Sequence, residues 1–159
     1  MKVMNHVRVT TGAVLTISVA AFICGLSNAV AQDVAALAMD TPTQISGVET
    51  VCTGVGLESR EDPRWAAYSL KVEIAGKGGQ YLGDVHVVVS KDGRSVVDAN
   101  CGGPWLLFKL PAGKYQVTAI VEGNTASSVA YASASGQGRI ILRFPETGGE
   151  MEKVASGNT

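Results

Sequence analysis

The chain has 159 residues, with 13 basic and 14 acidic side chains and a formal net charge of −1. That balance, without a basic run, argues against nucleic acid or an anionic membrane as a partner. An apolar fraction of 46% against 17% charged is that of a chain able to build a core, and it excludes a wholly disordered protein.

The first element is a leader. Lys2 and Arg8 make a positive start, Ala13 to Cys24 is apolar, and Ala29-Val30-Ala31 closes the run with small residues. This is the pattern of a secretory signal peptide, residues 1–31, cut before Gln32. The apolar run has 12 residues, short of the ~20 that span a bilayer. Phe22 and Ile23 precede Cys24 where lipid attachment takes small residues, so a lipoprotein is not expected. Cleavage leaves 128 residues, one domain's worth. It removes two basic side chains and no acid, so 11 basic groups face 14 acidic ones and the net charge becomes −3. The expected location is periplasmic or secreted, with no membrane span after cleavage.

Residues 32–46 are rich in Ala, Asp and Thr and read as a flexible leader to the domain, which is expected over 47–145. Val48 to Val55, broken by Gly54, reads as a first edge strand. Glu58, Arg60, Glu61, Asp62 and Arg64 follow, a mixed-charge run that reads as a solvated face. Asp62-Pro63 is an N-cap followed by proline at the first helical position, which predicts one short helix near Pro63 to Ala67.

Strands then recur. Ser69 to Ala75 alternates with Leu70, Val72 and Ile74 inward, and Asp84 to Ser90 with Val85, Val87 and Val89 inward. Lys91-Asp92-Gly93 is a tight turn into Arg94 to Ala99. In Trp105 to Leu110, Leu106, Phe108 and Leu110 share one face and Trp105, Leu107 and Lys109 the other. After Pro111-Ala112-Gly113, Lys114 to Val121 alternates again, with Tyr115, Val117, Ala119 and Val121 together. These two strands are expected to form a hairpin. Thr125 to Ser133 and Arg139 to Phe144 complete seven strands, and turn signals at roughly 8–12-residue spacing predict an all-β, antiparallel sandwich. Residues 146–159 are polar and Gly-rich and are expected to be disordered.

The stretch Leu110-Pro111-Ala112-Gly113 followed by Tyr115 and Val117, after an aromatic strand, resembles the carboxypeptidase regulatory-like domains. Gly54-Val55-Gly56, Tyr81-Leu82-Gly83-Asp84-Val85 and Gly103-Pro104-Trp105 are similar to segments of small secreted bacterial proteins that carry such a domain. The resemblance covers about Val51 to Phe144. It implies a transthyretin-like or Ig-like β-sandwich and no particular activity, because sandwich domains host many unrelated roles.

Two of the three cysteines, Cys52 and Cys101, remain after cleavage. An even count in an oxidising compartment favours an internal bridge. Two separate thiols, or Cys101 paired with another protein, are the alternatives. The resemblance requires cysteine at neither position. His86 is the single histidine of the mature chain and reads as an exposed strand residue. No spacing supplies a triad around it or the three or four ligands of a zinc site, and no cofactor is expected. The glycine pairs 78–79 and 102–103 lack the phosphate-loop pattern, and Glu61-Asp62 are mere sequence neighbours.

The candidate surface is therefore Trp105, Leu107 and Lys109, with Tyr81 or Tyr131 beside it. Such aromatics hold a partner chain or stack on a sugar. The competing reading packs Trp105 beneath the Val51 to Trp65 segment. The expected function is a non-enzymatic binding or structural accessory module of the cell envelope whose free sheet edges hold a protein. The alternative is carbohydrate or cell-wall binding on an aromatic platform around Trp105.

Overall fold

A computed structural model describes residues 34–145. The expected signal peptide and tail lie outside the described residues. Ten strands form two five-stranded sheets. Sheet I runs β1 (Ala35–Leu37), β6 (Arg94–Cys101), β5 (Val85–Lys91), β8 (Gly113–Val121), β9 (Asn124–Ala132). Sheet II runs β10 (Gly138–Phe144), β4 (Leu70–Gly76), β7 (Trp105–Phe108), β3 (Val48–Thr53), β2 (Thr43–Ile45). A helix, α1 (Leu57–Glu61), and a 3-10 turn, Pro63–Ala67, lie between β3 and β4.

The fold is all-β, as the alternation predicts, but it differs from seven antiparallel strands. Both sheets are mixed, because β1 runs parallel to β6 and β10 parallel to β4. Two extra strands lie in the segment expected to be a flexible leader. Ser46 and Gly47 both have positive φ (49° and 82°) and turn β2 onto β3. Asp92-Gly93 and Glu122-Gly123 make the same two-residue turn between β5 and β6 and between β8 and β9. This mirror-image turn matches the twist of the paired strands. With β2 outside it, β3 is an interior strand and not an edge.

The inward faces fall where the period of two puts them. Leu70, Val72, Ile74, Leu106, Phe108, Leu142 and Phe144 of sheet II meet Val85, Val87, Val89, Val117 and Ala119 of sheet I in one buried cluster. Each of these side chains except Ala119 contributes roughly 1.5–3 kcal/mol on burial.

The expected hairpin between β7 and β8 is not formed. β7 pairs with β3 and β4, whereas β8 pairs with β5 and β9. The second face of each strand explains the split. On β7 it carries Trp105 and Leu107, which need cover, and the chain between β3 and β4 supplies it over sheet II. On β8 it carries Lys114, Gln116 and Thr118, which face solvent. Leu110 to Gly113 therefore crosses between sheets. Leu110 N donates to Ser69 Oγ (2.9 Å), and Tyr115 Oη donates to Pro111 O (2.8 Å) at the corner.

Cys52 on β3 and Cys101 on β6 form a disulfide that joins the two sheets, with a Cα separation of 5.5 Å. Both are buried, and Met39 Sδ lies 3.3 Å from Cys52 Sγ. A bridge across 49 positions lowers the entropy of the unfolded chain by an amount worth about 4 kcal/mol.

Candidate functional site

The outer face of sheet II can be built row by row from the strand register. Ile141, Glu73, Trp105 and Thr53 lie side by side across β10, β4, β7 and β3. Arg139, Lys71, Leu107 and Val51 form the next row. Arg143 sits beside Ala75, which bridges to Tyr81.

One end of this face is covered. Trp65 and Tyr68 pack on Val51 and Leu107. The 3-10 turn that carries Trp65 starts as Asp62-Pro63 predicts, with Asp62 Oδ1 accepting from Arg64 N (2.9 Å). Trp65 Nε1 donates to Ser59 O (2.7 Å) on α1, a helix the charge run did not reveal. Tyr68 Oη donates to Glu49 Oε1 (2.7 Å), which also takes Lys109 Nζ (2.7 Å). Burial, and then that bond to Glu49, raise the Tyr68 hydroxyl well above its ordinary pKa.

Leu107 is thus fully buried and is no part of a surface. Trp105 is 7% exposed. Tyr81 meets it edge-on at 5.8 Å, Lys71 Nζ lies 3.1 Å from its ring centroid, and Gly54 packs against its Cγ. A Cβ at Gly54 would stand 2.7 Å from that atom, and the φ of +94° also favours glycine. Trp105 Nε1 is buried with no acceptor among the described residues. Tyr131 lies on β9 of the other sheet, so the candidate aromatics do not share a face.

Residues that the sequence reading passed over surround Trp105. Glu73 is 1% exposed on a face expected to be wet. Arg139 holds it with Nε and Nη2 (2.7 and 2.8 Å), Lys71 Nζ lies at 3.0 Å, and Tyr81 Oη donates at 3.4 Å. Burial pushes the Glu73 carboxyl up, but the bonds from Arg139 and Lys71 outweigh it and hold it below its ordinary value. Arg60 Cζ sits 4.8 Å from the Tyr81 ring centroid, and Arg60 Nε donates to Gly54 O (2.8 Å). Deeper in, Asp40 Oδ1 accepts from Thr53 and Ser59, tying the segment before β2 to α1.

On sheet I, His86 Nε2 lies 2.7 Å from Asp98 Oδ1, half-buried on an open face remote in topology from Glu73. A surface pocket of about 320 Å³ is lined by Leu37, Asp84 and Asn100, and one of about 400 Å³ by Asp92, Lys114 and Tyr115.

The edge of sheet I is the other notable feature. β9 has nine residues, none charged and none proline, and pairs with β8 in unbroken register. In the two-residue turn, Val121 and Asn124 form the bonded pair, so every second residue from Asn124 bonds β8. The backbone groups of Thr125, Ser127 and Val129 then point away from the sheet. They make no further backbone bond among the described residues. At Tyr131 the carbonyl abuts Gly138, and from there β10 of the other sheet runs close beside β9. Val129 and Tyr131 are 39% and 64% exposed beside this edge.

No known family model matches the chain, and no curated protein matches it.

Proposed function

We propose that the protein is a non-enzymatic binding or structural accessory module of the cell envelope, secreted or periplasmic, which holds a protein partner by strand addition at β9. In this reading the two sheets form a transthyretin-like β-sandwich of the carboxypeptidase regulatory-like type. The observation that carries the proposal is the edge itself. Soluble proteins guard long edges with charge, proline or bulges. β9 has none of these over nine residues, and three successive outward-pointing backbone positions lack a backbone partner among the described residues, although β10 of the other sheet runs close beside this edge. An added strand would gain main-chain bonds there and side-chain contact with Val129 and Tyr131.

Carbohydrate binding is the weaker reading, because Trp105 is covered, and Tyr81 bridges to β4 of sheet II while Tyr131 lies on β9 of sheet I. Catalysis gains little, since His86 faces Asp98 on an open surface and the buried carboxylate belongs to the other sheet. A pull-down from an envelope fraction containing insoluble cell wall tests this. A stoichiometric protein partner, not displaced by soluble sugars, is expected. Retention on polysaccharide, released by sugars, would replace the proposal with the carbohydrate reading.

A further inference from the structure

The chain as a whole is acidic, but the outer face of sheet II is not. Arg60, Lys71, Arg139 and Arg143 gather around a single buried carboxylate, Glu73. Contact with Tyr81, the ion pairs to Glu73 and the β10 register place them together. Lys71 and Arg139 already neutralise Glu73. Arg60 uses only Nε, on Gly54 O, and Arg143 makes one long bond, to Gly76 O (3.4 Å). The exposed acids of α1, Glu58 and Glu61, form no ion pair among the described residues. Ile141 stands between Arg139 and Arg143 on β10, Tyr81 lies under Arg60, and Val55 and Leu57 flank Gly56 at the start of α1. Ile141 is 38% exposed, Tyr81 40%, Val55 60% and Leu57 68%.

We propose that this face docks an extended acidic segment of a partner protein, with apolar residues interleaved among its carboxylates. This goes beyond strand addition at β9, which lies in the other sheet. Charge complementarity selects the occupant. Arg139, Ile141 and Arg143 occupy alternate positions on one face of β10, so the arginines stand ~13 Å apart along the strand with Ile141 midway. An extended segment reading acid, x, apolar, x, acid has the same repeat. A protein segment is favoured over a lipid surface by range. Screening confines each charge to about 8 Å, so a narrow segment along β10 senses Arg143 and Arg139, the latter shared with Glu73, and meets Glu58 and Glu61 only where it reaches Arg60 on α1. A planar anionic bilayer also meets the acidic remainder of the molecule.

The test uses the full chain, produced with its leader, and a labelled peptide carrying two Glu-Thr-Leu-Thr-Glu units, read by fluorescence anisotropy. The control peptide has Lys for every Glu. Saturable binding of the acidic peptide alone, weakened by added salt, is expected. Arg143→Gln and Arg60→Gln should each weaken it about two- to five-fold, with the melting temperature unchanged for Arg143→Gln, whose one bond is long, and both variants checked for folding. Tyr131→Ala, on sheet I, should leave it intact. The proposal fails if both peptides bind alike, if neither arginine change matters, or if phosphatidylglycerol vesicles are bound in place of the peptide. None of these outcomes bears on a partner held at β9.

Discussion

Replacing Trp105 by alanine should destabilise the domain by about 3 kcal/mol. Truncating a buried tryptophan costs roughly 3–5 kcal/mol through lost contacts and the cavity left behind. Trp105 qualifies at 7% exposure, with Tyr81, Lys71 and Gly54 against its ring. Losing the ring also strips Lys71 of a cation–π contact worth about 0.5–2 kcal/mol. One contribution opposes these. The indole N–H is buried without an acceptor, and such an orphan costs about 1–3 kcal/mol that the variant no longer bears. The balance falls at the lower end of the range. Trp105→Phe keeps a ring for Tyr81 and Lys71 and drops the orphan donor, so its cost should stay below about 1 kcal/mol. Urea unfolding followed by far-ultraviolet circular dichroism reads both, and an unchanged denaturant slope would show the same surface being exposed. An alanine variant within about 1 kcal/mol of wild type, or a phenylalanine variant as damaged as the alanine one, would refute this account of the site.

Further outcomes follow from the same contacts. The Glu73 carboxyl sits below its ordinary value of 4.5 in the folded state. The stability it contributes is therefore complete above that pH and is lost as pH falls through the folded value. Glu73→Gln should remove its share of the acid-side decline, to which Glu49 and Asp62 also contribute, and, by leaving the mostly covered Lys71 without its carboxylate while Arg139 stays solvated, cost about 1–3 kcal/mol at neutral pH. Thermal melts from pH 3 to 7 would show it, and a variant with the wild-type acid profile would contradict it. Replacing Cys52 and Cys101 together by alanine should cost about 4 kcal/mol, whereas an equally stable variant would mean that the bridge constrains little. Gly54→Ala should cost more than about 1 kcal/mol, from the positive φ and the Trp105 contact. A neutral melt would count against that packing.

The core was readable because alternation is local. Leu70, Val72 and Ile74 had to share a face whatever they paired with. Pairing partners are not local, and there the reading went astray. The Pro-Ala-Gly stretch announces a reversal equally well for a hairpin or for a crossing between sheets, and only the need to cover Leu107 separates the two. The strands in the expected leader were missed although Ser46-Gly47 carried a turn signal. Three-residue strands are too short to show a period. Glu73 escaped notice because an outward position was equated with a wet one. Its cations come from positions 71 and 139, and Arg60 from a third element, so a count of net charge averaged the basic face away. The Cys52–Cys101 bridge followed from parity, while the closeness of β3 and β6 that permits it did not.

The most direct measurement of the central claim compares partner binding by wild type, Ser127→Pro and Ser128→Pro, each checked for folding. Proline at Ser127 removes an amide that points away from β8, and edge strands tolerate it, so the melting temperature should fall by no more than about 4 °C. Proline at Ser128 removes an amide bonded to Val117 and should destabilise the hairpin outright. If the partner is held by strand addition, Ser127→Pro will be folded and will not bind. A folded Ser127→Pro protein that binds the partner as wild type does would show that β9 is not the docking edge.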